Sequence, residues 1–400
     1  MSKIMQDAYV VAAVRTPVAK RKGAFANVRP DDMLAHVLKR VTAAVPQLDT
    51  RDIGDVVVGC AMPEAEQGMN VARIGALLAG LPPSVPAMTV NRFCASGLDA
   101  VVQAANRIRL GDSEVAIGAG VESMSVMSQM TGNKLATNPA FFAGDEHRAI
   151  AYGMGITAER VAERWRVTRE RQDAFAVESH RRALAAIADG RFKAEIAPYV
   201  VREHLPDLAS GQVRIVERIV ENDEGPRPGS TMEALAKLKP AFAAKGSVTA
   251  GNASQLSDGA AAVVLMSEAA LRRYDVRPLA RFVSFAVVGV PPEIMGIGPV
   301  EAVPRACQAA GMRIEDLDWI ELNEAFAAQS LAVIDEIGLD PAKVNPLGGA
   351  IALGHPLGAT GAIRVATLVH AFQRDSKLRR GMVTMCVGTG MGAAGIFEYV

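Results

Sequence analysis

Short apolar runs and helical stripes alternate along this chain. Tyr9 to Val14 is a β-branched run that predicts a strand. Leu34, Val37, Leu38, Val41 and Val45 then recur at the spacing of one helix face. Asp55 to Gly59 carries three consecutive valines, as expected of a strand buried on both faces. Ala87 to Val90 predicts another short strand, and Val115 to Gly118 a further one. Between them Leu98, Val101, Val102, Ala105 and Ile108 make a second helical stripe. This βαβα rhythm predicts an α/β fold with a largely parallel sheet.

The rhythm returns later. Asp52-Ile53-Gly54-Asp55-Val56 resembles Asp316-Leu317-Asp318-Trp319-Ile320 at an offset of 264 residues. Ser96-Gly97, opening one helix, matches Thr360-Gly361, opening another, at the same offset of 264. Val115-Ala116-Ile117 answers Val383-Thr384-Met385, four residues further shifted. Two similar halves packed through a shared core are expected. Between them, about 122–246, the chain is richer in charge, with helices predicted over Glu159 to Arg166 and Arg169 to Ala188. The stretch ends in Gly225-Pro226-Arg227-Pro228-Gly229. It reads as an insertion that covers a site, with a plain packing subdomain as the alternative. The expected division is 1–121, 122–246, a return segment 247–270, and 271–400.

Composition narrows the function. Lys+Arg and Asp+Glu are 43 each, so nothing favours nucleic acid or a polybasic membrane surface as the main partner. No stretch approaches the roughly 20 uninterrupted apolar residues of a spanning helix. Met1 to Val14 does not read as a signal peptide, nor Phe397 to Val400 as a targeting tag. Cys60, Cys94, Cys307 and Cys386 are too few and scattered for a disulfide scaffold or a zinc site. A reducing cytoplasm and no bound metal are the expectations.

Four segments carry candidate chemistry. Cys94, in Asn91-Arg92-Phe93-Cys94-Ala95-Ser96-Gly97, follows a predicted strand and opens a helix. Unpaired N–H groups at a helix start favour the thiolate, the reactive form; a buried structural cysteine is the plainer alternative. His355 sits in a Gly-rich turn, Gly348 to Gly354, with Pro356 after it. A turn so shaped aims a side chain, so His355 is a candidate base, or else a turn residue that caps a helix. Cys386 ends a strand and enters Gly388-Thr389-Gly390-Met391-Gly392. The GxGxxG there is no dinucleotide fingerprint, because too little chain follows for a helix and second strand. Asn323-Glu324-Ala325-Phe326-Ala327 follows the strand-like Trp319 to Leu322, where open α/β sheets place sites. Asn323 as a simple N-cap is the alternative there.

Together these segments resemble the thiolase family. Asn91-x-x-Cys94-x-Ser96-Gly97 is similar to its nucleophile motif, Asn323 to Ala327 to its Asn-Glu motif, Gly348 to Gly361 to its histidine loop, and Cys386-x-Gly388-x-Gly390-x-Gly392 to its acid/base cysteine loop. Gly251 to Ser254 and Asp258 to Ala261 resemble the segment leading back from its loop domain. The resemblance implies two βαβαβαββ halves in a five-layer αβαβα arrangement with an inserted loop domain that holds coenzyme A. It implies a homodimer or homotetramer, with a possible complex with other β-oxidation enzymes.

The implied chemistry is ping-pong acyl transfer between acyl-CoA and CoA, with CoA as substrate and no tightly bound cofactor. Cys94 is then the nucleophile, His355 its base and Cys386 the acid/base thiol. Asn323 would hold a water that joins His355 in one oxyanion site, and the N–H groups of Cys94 and Gly388 would form the other. Ser254, Met295, Phe326, Phe242 and Met154 match positions that line the family's CoA pocket. Biosynthetic members carry His-Met-Gly where this chain has Gly153-Met154-Gly155. Ser254 to Asp258 and Arg227 to Thr231 look more like the degradative group. A degradative 3-oxoacyl-CoA thiolase is therefore expected, ahead of a biosynthetic acetyl-CoA acetyltransferase. A ketosynthase-type condensing enzyme would not need Cys386, and a silent acyl-CoA-binding relative would have lost Cys94, His355 or Cys386.

Overall fold

The computed structural model describes residues 5–129, 138–144 and 148–400; residues 130–137 and 145–147 of the expected insertion lie outside them. The first half runs β1 (Tyr9–Arg15), the short β2 (Ala19–Lys20), α1 (Pro30–Ala43), β3 (Ile53–Gly59), α2 (Val71–Leu78), β4 (Ala87–Val90), α3 (Ser96–Arg109) and β5 (Val115–Ser123). The intervening stretch holds α4 (Met124–Gln129), α5 (Met154–Arg164), α6 (Arg169–Ala188), the hairpin β6 (Tyr199–Asp207) and β7 (Gln212–Val220), and α7 (Met232–Ala236). Then β8 (Ser257–Met266) returns to pair antiparallel with both β1 and β5, and α8 (Glu268–Tyr274) follows.

The second half repeats the plan as β9 (Ala280–Gly289), α9 (Gly298–Ala309), β10 (Trp319–Leu322), α10 (Ala327–Ile337), α11 (Ala350–Leu353), α12 (Leu357–Arg374), β11 (Arg380–Val387) and β12 (Met391–Glu398). The strand order is β10-β11-β12-β9-β1-β8-β5-β3-β4, so the halves meet where β1 pairs with β9. The counterpart of β4 in the second half shrinks to one parallel bridge, Ile320 to Val344. With that reduction both halves are βαβαβαββ.

Three apolar clusters define five layers. One joins α1 and α2 to the outer face of the first sheet (Leu34, Leu38, Val56, Ile117). A second fills the space between the sheets with α3 and α12 (Leu98, Val101, Val365, Leu368, Val383). A third seats α9 and α10 on the outer face of the second sheet (Val303, Val333, Met382, Ile396).

The central pair of helices crosses backbone to backbone. A Cβ on Gly97 would stand 2.7 Å from Gly358 O, and one on Gly361 would stand 2.1 Å from Leu98 N. The predicted repeat of Gly97 and Gly361 is thus the crossing point of α3 and α12.

Element boundaries differ where glycine interrupts the pattern. The strand predicted over Val115 to Gly118 continues to Ser123. Gly118 and Gly120 lie there because a Cβ would reach Val101 Cα at 2.3 Å and Gly358 O at 2.4 Å. Thr360-Gly361 does not open its helix; α12 starts at Leu357, because Pro356 at the N-cap leads directly into helical backbone. Cys94 does not lie in α3 but in a single 3-10 turn, Phe93–Ala95, that feeds it. The helix predicted over Glu159 to Arg166 starts at Met154 and ends at Arg164; Gly153 and Gly155 around its start mask the helical pattern there.

Candidate active site

Cys94 is held by a strained turn. Phe93 has φ +43°, uncommon for a side chain of its size. Two polar side chains over-determine it. Asn91 Oδ1 accepts from the Phe93 N–H at 2.8 Å, and Ser96 Oγ donates to Phe93 O at 2.7 Å. Ser96 Oγ also accepts from the Arg92 N–H at 2.8 Å. The side chain of Cys94 is buried, 7% exposed, and burial pushes its thiol up to about 11. Hydrogen bonding from the N–H groups of Gly388 and of Cys94 itself works the other way. A neutral thiol at rest, beside two backbone donors, follows.

Gly388 arrives by a hairpin. β11 and β12 pair from Arg380 with Glu398 to Val387 with Met391, leaving the three-residue turn Gly388-Thr389-Gly390. Thr389 and Gly390 have φ +64° and +89°. The residues that mimic a dinucleotide fingerprint are therefore a tight turn. Cys386, on β11, is fully buried, and its thiol is pushed up by burial and then by the neighbouring Cys94. It shares an apolar cluster with Ala158, Met295, Ala325 and Phe326.

His355 lies between α11 and α12. Gly354 turns the chain at φ +97°, where a Cβ would stand 2.5 Å from Ser257 Oγ. The His355 N–H donates to that same oxygen at 3.1 Å. The ring is buried, and burial followed by the charge of Arg364 lowers it to about 3, so it is neutral at working pH.

Thr360 assigns its tautomer. The hydroxyl donates its one proton to Pro356 O at 3.0 Å. Its oxygen, 2.6 Å from His355 Nδ1, therefore accepts from Nδ1–H. Nε2 is left with a lone pair and accepts from Asn323 Nδ2 at 3.3 Å. A neutral imidazole with an unprotonated Nε2 is the form a base must have.

Asn323 is fully buried at the end of β10, and its N–H donates to Thr384 O on β11 at 2.9 Å. Its Oδ1 has no hydrogen-bond partner among the described residues. Glu324 faces away from the ring. Its carboxylate accepts from Ser179 Oγ, Asn345 Nδ2 and the Ile351 N–H, at 2.7, 2.8 and 3.2 Å. It anchors α6 to the loop before His355.

The other expected residues form an apolar rim. Phe242 and Phe326 meet edge to face with centroids 6.1 Å apart. Gly155 lies under the Phe242 ring, where a Cβ would touch it at 2.1 Å. A Cβ on Gly388 would lie 3.6 Å from Met154 Sδ and 3.8 Å from the Phe93 ring. Phe93, Met154 and Phe242 are all exposed, while Met295 and Phe326 are buried behind them. Ser254 is half-buried and joins this group through its N–H, which donates to Ala325 O at 3.0 Å. Three polar supports were not singled out for the site: Ser257, Arg364 and Glu122. Only Thr360 had a sequence signal, its match to Ser96. Among the described residues no group of three His, Cys, Asp or Glu side chains is placed to hold a metal.

Comparison with known proteins identifies the family. Residues 8–269 match the model of the thiolase N-terminal domain, and residues 276–399 that of the thiolase C-terminal domain. A 3-ketoacyl-CoA thiolase of Bacillus subtilis is 49% identical over 98% of this chain and 100% of its own. A peroxisomal 3-ketoacyl-CoA thiolase A of Rattus norvegicus is 46% identical over 98% of this chain and 89% of its own. The crystal structure of the Bacillus anthracis acetyl-CoA acetyltransferase superposes with a TM-score of 0.89 at 39% identity, covering 100% of both chains. Human mitochondrial 3-ketoacyl-CoA thiolase superposes at 0.88 with 35% identity, covering 99% of this chain and 100% of that one. With both halves matched and relatives aligned over nearly the whole chain, the chain belongs to the thiolase family.

Proposed function

We propose that this enzyme is a degradative 3-ketoacyl-CoA thiolase, cleaving 3-oxoacyl-CoA with CoA to acetyl-CoA and an acyl-CoA two carbons shorter. One observation carries the reading: a buried thiol, Cys94, lies beside a second buried thiol, Cys386, and the same chain holds a buried, neutral histidine whose Nε2 carries no proton. His355 takes the Cys94 proton, and the Cys94 thiolate attacks the 3-oxo carbon. The carbon–carbon bond breaks, and Cys386 protonates the departing acetyl-CoA carbanion. Cys386 then takes the proton of an incoming CoA thiol, which attacks the acyl-Cys94 thioester and releases the shortened acyl-CoA.

Negative charge develops on two oxygens, and each needs donors. The N–H groups of Cys94 and Gly388 serve the first. His355, protonated on Nε2 after taking the Cys94 proton, serves the second with a water on Asn323. The buried, unpartnered Asn323 Oδ1 supports such a water.

CoA would enter over the rim formed by Met154, Phe242, Met295, Phe326 and Ser254, under cover of residues 122–246. A homodimer is the expected assembly, with a tetramer as its doubled form. β4 is a sheet edge, and the apolar side chains of Met69, Leu77 and Leu78 are exposed near it. A reducing compartment such as the cytoplasm suits four free cysteines. No described helix is long and apolar enough to cross a membrane.

The 3-ketoacyl-CoA relatives, at 45–49% identity, favour the degradative reading over the biosynthetic one suggested by the 39% identical acetyltransferase. The deciding assay is CoA-dependent thiolysis of 3-oxoacyl-CoAs from about four to sixteen carbons, a range that spans gains of roughly 0.8 kcal/mol per buried methylene. Activity that holds or rises beyond the shortest substrate fits the proposal. Activity confined to acetoacetyl-CoA would replace it with the biosynthetic reading.

A further inference from the structure

Glu122 is fully buried at the end of β5, and no step above uses it. Its Oε2 accepts from the backbone N–H of Ala61 and of Gly358, both at 2.8 Å. Its Oε1 accepts from Gln67 Nε2 at 2.5 Å, and Cys60 Sγ lies 4.0 Å from the same oxygen.

Two of these contacts lead to the reacting groups, one in each half of the molecule. Ala61 O accepts from Asn91 Nδ2 at 3.0 Å, and Asn91 Oδ1 holds the strained turn of Cys94. Gly358 lies in the first turn of α12, directly after the His355-Pro356 segment. The two backbones meet at the carboxylate: a Cβ on Gly358 would stand 2.8 Å from Glu122 Oε2 and 2.7 Å from Ala61 N. A single carboxylate therefore joins the strand end that supports the nucleophile to the helix start behind the base.

The group also carries charge. Burial raises Glu122 to about 6, so it is mostly ionised at neutral pH. Its charge adds to burial in holding Cys94 up. Of the other charged or titratable groups, Cys386 registers Cys94, and the Arg92–Asp99 ion pair, 3.2 Å apart, flanks its turn; His355 registers Arg364. Cys60, facing Glu122, is pushed up by burial and stays a thiol. An uncharged hydrogen-bonding side chain would cost less to bury at a mere packing contact.

We propose that Glu122 is a positioning residue of the acyl-transfer site, a charged clamp that seats the His355 loop against the Cys94 turn. The proton moves from Cys94 Sγ to His355 Nε2, and Glu122 exchanges none. The inference rests on Cys94 being the nucleophile.

The test compares wild type, Glu122→Gln and Glu122→Asp. Two quantities are read: the pH midpoint of Cys94 alkylation by iodoacetamide, localised by peptide mass spectrometry, and kcat for thiolysis. Glu122→Gln removes the charge, so the midpoint should fall. Its kcat should fall about 10- to 100-fold from the loosened clamp. Glu122→Asp keeps the charge but withdraws it from Gly358, so kcat should fall by a similar factor at a wild-type midpoint.

A purely structural glutamate would lose activity with no downward shift. An unchanged or raised midpoint in Glu122→Gln, or wild-type kcat in Glu122→Asp, overturns the proposal. If Glu122→Gln does not fold, Glu122→Ala, which also removes the charge, is read for the same downward midpoint shift, and its absence overturns the proposal. Alkylation reports the thiol directly, so failure here is distinct from failure of the nucleophile assignment, which would appear as turnover surviving Cys94→Ala.

Discussion

The starts of α3 and α12 are counterparts in the two halves, yet they handle their hydroxyls differently. Ser96 and Thr360 stand 264 residues apart. Ser96 Oγ spends both of its hydrogen bonds on backbone, donating to Phe93 O and accepting from the Arg92 N–H. Thr360 Oγ1 donates to backbone at Pro356 but accepts from the ring of His355. One hydroxyl fixes a strained turn and the other fixes a tautomer. The next residue in each helix, Gly97 or Gly361, is the crossing point common to both. A duplicated scaffold has kept its packing and diverged in the few residues that precede each helix.

The sharpest way to break this pairing is to remove the two groups it presents. Cys94→Ala should abolish the acyl-enzyme, seen by intact mass after exposure to substrate, and cut kcat by at least about 10⁴-fold. His355→Ala should still acylate, but with kcat lower by about 10²–10⁴, the usual worth of a positioned base. If Cys94→Ala kept ordinary turnover, the nucleophile would lie elsewhere.

The shared crossing comes next. Gly361→Ala forces its Cβ against Leu98 N and should destabilise the protein by about 3 kcal/mol, the upper range for overpacking. Gly97→Ala should behave alike. Gly229→Ala, where a Cβ meets nothing within 4 Å, is the control and should leave the denaturant midpoint within about 0.5 kcal/mol of wild type.

The pH dependence separates the two reacting groups. With Cys94 held up to about 11, alkylation of the resting enzyme should rise about tenfold per pH unit from 7 to 10. His355 is lowered to about 3, so its neutral form persists as pH falls until that value. Loss of activity near pH 6 that tracked a titrating His355 would contradict the burial described here.

The hydroxyls give the smallest effects. Thr360→Val removes the acceptor of Nδ1–H and should lower kcat about fivefold with KM little changed, since one hydrogen bond is worth about 1 kcal/mol. Ser96→Ala should instead appear mainly as a stability loss of about 1 kcal/mol. Equal kinetic effects from the two would erase the distinction drawn between them.

Much of the fold was legible because it rests on periodicity. Ala87–Val90, Trp319–Leu322 and Arg169–Ala188 fall where the patterns place them. The repeat was legible too, because the turn before β3, Thr50–Asp52, recurs before β10 as Ile314–Asp316. Prediction weakened wherever glycine replaced the apolar pattern, as at Gly118 and Gly120, since those positions serve a backbone from the other half. The supports of the site were invisible for a related reason. Glu122, Ser257 and Arg364 read as ordinary polar residues until their partners, far away in sequence, are known.

The sequence by itself determined the α/β rhythm and the duplication and supplied the candidate reacting side chains, because short-range periodicity and unusual local composition are written along the chain. Only the tertiary structure decided the tautomer of His355, the neutrality of Cys94 and the partners of Glu122. Those depend on burial and on hydrogen bonds between residues as distant as Glu122 and Gly358, and such contacts exist only once the two halves have closed on each other.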